Sequence, residues 1–221
     1  MIDVAISPEL RCAAPHYRGA FIEAQVENMP TSPELWQEIS TICDWLREEY
    51  DTTSLKERPG IRATRAAYRA AGKDPSRYRP ACEQLCRRVL QGKALYSIST
   101  LVDVGNAISM RSGYMVGVLD RDKIVGNRLS LGIGRPEEAY EGIGRGPLNI
   151  AFMPVFRDEV GAVATPTSDH VRTQCGPDTK HVLVIINGYD GNEASLHDAA
   201  DYARGLLERF AQAQDVVWQM V

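Results

Sequence analysis

The sequence predicts an α+β fold with a mixed or antiparallel sheet flanked by helices, and three observations carry that expectation. Residues 33–92 hold three helical segments, residues 94–190 hold strand-like runs broken by Gly, Pro or Asp turns, and a long amphipathic segment closes the chain. Strands do not alternate regularly with helices, so a doubly wound parallel sheet is disfavoured.

Taken in order, "IDVAIS" and "RGAFIEAQVEN" read as short strands. "TSPELWQEISTICDWLREEY" follows as a helix, with Ser32 as N-cap, Pro33 in the first turn, and Leu35, Ile39, Ile42 and Leu46 recurring at helical spacing. "DTTSLKERPG" looks disordered. "IRATRAAYRAAG" is a second helix ended by Gly72, and "DPSRYRPACEQLCRRVLQG" a third, from near Pro80 to Gly92. In "STLVDVGNAISMRSG", Thr100 and Asp103 match a capping box, and Gly113 is placed to end the helix in the left-handed conformation. "YMVGVL", "KIVGNRLSLGI", "LNIAFMPVFRD", "GAVATP" and "KHVLVIINGY" are strand-like, and "EASLHDAADYARGLLERFAQAQ" is the closing helix, capped by Ser195.

Composition narrows the classes of function. The chain of 221 residues is 44% hydrophobic and 24% charged, enough to bury a core. No apolar run approaches a membrane span, and acidic Asp3 stands where a signal peptide has positive charge, so a cytoplasmic protein without membrane attachment is expected. Five scattered cysteines form no paired C-x-x-C, and the four histidines lack metal-ligand spacing; neither a disulfide framework nor a metal site is expected. "GIGRG" at 142–146 lacks the full phosphate-loop spacing and reads as a turn.

Charge is strongly segregated. Residues 1–55 carry 3 Lys/Arg against 10 Asp/Glu, residues 56–93 carry 11 against 3, and residues 94–221 carry 11 against 16. A basic band inside an acidic chain steers a polyanion to one face, or is a solvated arginine-rich hairpin. Eight of its eleven cations are candidates for contact with such a polyanion: Arg62, Arg65, Arg69, Lys73, Arg77, Arg79, Arg87 and Arg88. Two other stretches gather polar groups. One holds Asp103, Asn106, Ser109, Arg111 and Asp120; the other, "TPTSDHVRTQ", holds Asp169, His170, Arg172 and Thr173 in a loop between strand signals. Asparagine is a poor helix-interior residue, so Asn106 is harder to explain structurally than Asp103. No nucleophile elbow or serine triad is marked.

The run "LVDVGNAISMRSGYMVGVLDRDKIVGNRLSLGIG" resembles the B3/B4 domain of the beta subunit of bacterial phenylalanyl-tRNA synthetase. The likeness rests on Asp103, Asn106, Asp120 and the Asp-Lys-Ile turn at 122–124, and extends over roughly residues 58–190. Freestanding single-domain proteins of that type are closer still. The resemblance implies a B3/B4-like domain over residues 58–221, with strands and an acidic helix at 1–57 packed as part of it. It also implies hydrolysis of the ester of a misacylated tRNA, with the acceptor end of tRNA as partner, no DNA and no cofactor. Asn106, Asp169, His170 and Thr173 become candidate catalytic residues. Asp103, Ser109, Arg111, Gly117, Asp120 and Arg172 become candidates for substrate binding, and the basic band for RNA. One departure stands out: the family's editing-pocket histidine aligns with Gly117. No synthetase catalytic core is present, so aminoacylation by this chain alone is not expected. The alternative is a non-catalytic module that binds tRNA or an amino-acid-like small molecule.

Overall fold

A computed structural model describes all 221 residues. In chain order, strand β1 (Asp3–Ile6) leads into a short helix α1 (Pro8–Ala13), strand β2 (Arg18–Gln25) and helix α2 (Pro33–Glu49). Helices α3 (Pro59–Ala71), α4 (Ala81–Leu90) and α5 (Thr100–Ser112) follow. Strands β3 (Met115–Asp120) and β4 (Arg128–Ile133), a two-stranded hairpin β5 (Glu141–Gly142) and β6 (Gly146–Pro147), and strands β7 (Pro154–Arg157), β8 (Ala162–Ala164) and β9 (His181–Gly188) come next. Helix α6 (Glu193–Phe210) and strand β10 (Gln214–Met220) complete the chain.

The strands form two four-stranded sheets. One has the order β10-β2-β9-β3 and is antiparallel throughout. The other has the order β1-β4-β7-β8, with β1 parallel to β4 and the remaining pairs antiparallel. Strand β9 shows why they stack: Val182, Val184 and Ile186 enter the core shared with α2, α5 and α6, while Leu183 and Ile185 enter the core shared with the second sheet. Period-two alternation with both faces apolar requires cover on both sides. The result is an α+β fold in layers, helices on one sheet and that sheet on the other.

Helix ends follow the local chemistry. Ser32 accepts from the Leu35 N–H at 3.2 Å, and Gly72 and Gly113 close α3 and α5 with φ of 95° and 82°. Other expectations are corrected. Thr100 does not cap α5: Ser99 holds that position, and the Thr100 hydroxyl donates to Met29 O at 3.0 Å. Asn192, not Ser195, caps α6, because its Oδ1 accepts the Ser195 N–H at 3.1 Å. Residues 51–58 are ordered. Asp51 Oδ1 accepts the N–H groups of Thr53 and Ser54, both at 2.7 Å, and Leu55 beyond them is fully buried. The chain ends on β10 rather than on a helix; Trp218 and Met220 pack on the main core while β10 adds to the edge of β2. Of "LNIAFMPVFRD", only the last part is strand.

Candidate functional site

Strand β3 is an edge strand, and its free edge needs partners. They come from the loop between β8 and β9, through two side chains and one backbone bridge. The Val118 N–H donates to Asp169 Oδ2 at 3.3 Å, Cys175 Sγ donates to Val118 O at 3.5 Å, and Leu119 bridges Gln174. The loop is itself held. Thr165 Oγ1 accepts the N–H groups of Thr167 and Ser168, Tyr140 donates to Ser168 O at 2.6 Å, and the Thr167 hydroxyl pairs with Tyr68 at 2.8 Å. On the other side, α5 lies close on β3 because Gly105 has no side chain. A Cβ there would stand 2.5 Å from Val118 Cγ2.

Between α4, α5, this edge and the β5–β6 hairpin lies a cleft of about 620 Å³. Asn106 and Ser109, three apart on α5, form part of its wall, with Asp169 bordering it as well. Cationic side chains line it: Arg79, Arg87, Arg88, Lys93 and Arg145. Asp169 is the sole carboxylate among the lining residues. Arg87 is braced on Thr52 O at 2.7 Å, Arg88 on Ala94 O at 2.7 Å, and Arg145 on Gln84 Oε1 at 2.6 Å. Those bonds fix the guanidiniums without neutralising them. Arg79 is partly neutralised by buried Glu83 at 3.3 Å.

The Asp169 carboxyl is pushed up to about 7 by burial, which outweighs the single hydrogen bond from Val118. Its affinity for a proton therefore lies near neutrality. Asp169 is partly exposed and borders both the cleft and a smaller cavity of about 80 Å³ that Gly117 lines, and its carboxylate oxygens lie against Gly117. A Cβ on Gly117 would stand 3.2 Å from Asp169 Oδ1, so the position without a side chain is the one that accommodates this carboxylate. The cleft cysteines are not activated: burial, with the charges of Asp120 and Asp169, pushes the Cys175 thiol up to about 12. No three His, Cys, Asp or Glu side chains gather to hold a metal ion.

The other residues singled out from sequence fall elsewhere. Asp103 is buried one turn before Asn106. Its Oδ2 accepts from Thr31 Oγ1 at 2.5 Å, Ser97 Oγ at 3.0 Å and the Ile98 N–H at 3.1 Å, so it fastens the entry to α5. Asn106 Nδ2 reaches Asp103 Oδ1 only at 3.4 Å. Arg111 does not join the cleft. Five residues after Asn106 the helix has turned to its other side, where the guanidinium lies 3.9 Å over Tyr202. Asp120 accepts from Thr179 Oγ1 at 2.7 Å and pairs with Lys123 at 3.2 Å, which fixes the turn after β3.

The loop at 168–173 contributes only Asp169. A 3-10 turn at Val171–Thr173 sends its neighbours away. Arg172 is bidentate to Asp158, both bonds 2.9 Å, and the Thr173 hydroxyl is spent on Val163 O and His170 O, both at 3.3 Å. His170 accepts the Arg172 N–H at 2.9 Å and stands edge-on to Tyr140. Burial, and then the Arg172 charge, hold its imidazole below the usual value.

The basic band also divides. Arg65 Nη1 donates to both oxygens of buried Glu83, at 2.9 and 3.2 Å, and Lys73 is buried with Nζ 2.8 Å from both Asn149 O and Ala151 O; both are structural. Arg62, Arg69 and Arg77 are exposed outside the cleft, whereas Arg79, Arg87 and Arg88 line it. Sequence reasoning missed Lys93 and Arg145. The signal for Arg145 was the glycine turn itself: Gly144 and Gly146, with φ of 67° and 68°, form the tight hairpin that presents it.

The family profile described as B3/4 domain matches residues 63–218. Among solved structures, an N-terminal fragment of the phenylalanyl-tRNA synthetase beta-subunit from Pyrococcus horikoshii is similar, with a TM-score of 0.50 and 12% identity. That match covers 97% of this chain and 50% of the fragment, so the chain spans half the length of that relative and shares its fold. No curated protein matches the chain. No helix is long and apolar enough to cross a membrane. With the profile spanning well over half its length, the chain belongs to the B3/4 domain family.

Proposed function

We propose that the cleft takes the acceptor end of a tRNA and hydrolyses the ester of a misacylated aminoacyl-tRNA. One observation carries this reading: a single carboxylate, Asp169, borders a cleft that five cationic side chains line. The cations suit phosphates, and a carboxyl whose affinity for protons lies near neutrality suits a general base. An aminoacyl ester is already activated, so positioning a water and stabilising an oxyanion suffice. In the proposed step, Asp169 takes a proton from water as its oxygen attacks the ester carbonyl. The Asn106 amide donates to the developing oxyanion. The tetrahedral intermediate then collapses, breaking the bond to the ribose oxygen, which leaves as the hydroxyl after receiving the proton. The similarity to a subunit of a phenylalanyl-tRNA synthetase agrees with a tRNA as substrate.

A second reading, binding without chemistry, is favoured by Gly117, which supplies no side chain where the resembling family has a histidine. A panel of mischarged tRNAs with catalytic amounts of protein separates the two. Turnover on at least one supports hydrolysis; salt-sensitive binding with no turnover on any leaves binding alone.

A further inference from the structure

Two of the most exposed large apolar side chains of the molecule lie two positions apart in the chain beside the cleft. Tyr96 is 70% exposed and Ile98 67%. Ile98 lines the cleft, and Tyr96 is stacked on Arg88, which lines it too, with the guanidinium 4.6 Å from the ring centroid. Both belong to residues 91–99, a segment without helix or strand. Its geometry is nonetheless specified. Arg88 Nε donates to Ala94 O at 2.7 Å, and the Asp103 carboxylate holds Ser97 Oγ and the Ile98 N–H at 3.0 and 3.1 Å. Solvating an aromatic ring and an isoleucine this fully leaves apolar area in water that folding does not bury. Their flanks, Lys93 and Arg88, are positive.

We infer that Tyr96 and Ile98, with the Arg88 guanidinium behind the ring, form a stacking platform for unpaired nucleotide bases at the 3′ end of the RNA. This rests on the RNA reading of the cleft above. An exposed aromatic beside cations matches what single-stranded nucleic acid offers: flat π-faces on a polyanionic backbone. Stacking is tolerant of base identity, so the platform orients any such end toward Asp169 without reading its sequence.

The test titrates the full chain with two fluorescent RNA hairpins, one carrying an unpaired 3′ tail and one blunt, over a series of salt concentrations. The tailed hairpin is expected to bind more tightly. Tyr96→Ala should weaken it by about tenfold while leaving the blunt hairpin and the salt slope unchanged, and Tyr96→Phe should retain binding. Lys93→Gln should weaken both hairpins and flatten the salt dependence. Equal affinity for the two hairpins, or a Tyr96→Ala variant that binds the tail as well as the parent, overturns the platform while the cleft reading stands. If neither hairpin binds, the RNA reading itself fails and the platform with it. A parent chain that dimerises, with the dimer lost in Tyr96→Ala and tail affinity unchanged, likewise overturns it by assigning the patch to a second copy.

Discussion

Asp169 and Gly117 are spatially complementary: the carboxylate occupies the space next to the one β3 residue without a side chain, with Oδ1 3.2 Å from where a Cβ would stand. Gly117→Ala brings a methyl group to that distance and must push the carboxylate aside or pack against it. The strand geometry allows alanine, so the protein should fold, at a cost of about 1–3 kcal/mol in thermal or urea unfolding. Ester hydrolysis should fall more than RNA affinity does. Unchanged hydrolysis would mean that the placement of the carboxylate is unimportant.

Asp169 also imposes a pH signature on stability. Burial raises its folded-state value to about 7, above the ordinary carboxylate value that the unfolded chain has. From about pH 4 to about pH 7 the unfolded chain ionises while the folded one keeps its proton, so stability falls as pH rises and stays lower beyond. The difference is of order 4 kcal/mol. Asp169→Asn should remove this dependence and be the more stable protein above neutrality. Urea midpoints against pH check it; parallel curves for the two proteins would contradict the assignment.

Arg172 belongs to the scaffold. It pairs with Asp158, whose side chain is wholly buried. Burial alone would raise the Asp158 carboxyl; the bonds from Arg172 and the N–H groups of Val125, Gly161 and Val160 instead bring it down to about 2. Its contribution is present above the ordinary carboxylate range and is lost as the pH falls toward 2. Arg172→Ala strands a buried charge and should cost about 3–5 kcal/mol in unfolding experiments. At a temperature where the variant remains folded, RNA affinity should be unaltered.

Arg145→Gln removes a braced cation from the cleft, and Arg65→Gln breaks the pair with Glu83. The first should weaken tRNA binding and reduce the slope of log affinity against log salt by about 0.9 for each phosphate that is no longer neutralised. The second should lower stability and leave that slope alone. Filter binding at several salt concentrations reads the slope, and thermal unfolding reads the stability.

The fold was legible where periodicity and caps agree. Leu35, Ile39, Ile42 and Leu46 on α2, the glycines ending α3 and α5, and the apolar run of β9 all point to the layers observed. Strand β10 was hidden because its pairing with β2 joins opposite ends of the chain, a relationship no local pattern encodes. Asn106 and Ser109 stood out as polar groups on an otherwise apolar, glycine-containing helix and Asp169 as part of a polar loop, and all three border one cleft. Arg111 was misread because helical phase, not nearness in sequence, decides which wall a residue joins. Thr173 and Arg172 were misread because one 3-10 turn separates them from Asp169. Arg145 went unnoticed because the glycines around it mark a turn at 144–146 but not the wall that the turn faces.

The most direct test of the central claim is single-turnover hydrolysis of a mischarged tRNA that the protein accepts, followed from about pH 5 to about pH 9 for the parent and for Asp169→Asn. The parent rate should climb with pH, bend near 7 and level off, and Asp169→Asn should lose about 10² to 10⁴-fold with that bend abolished while tRNA affinity is retained. An Asp169→Asn variant with the parent's rate and the parent's bend would contradict the account.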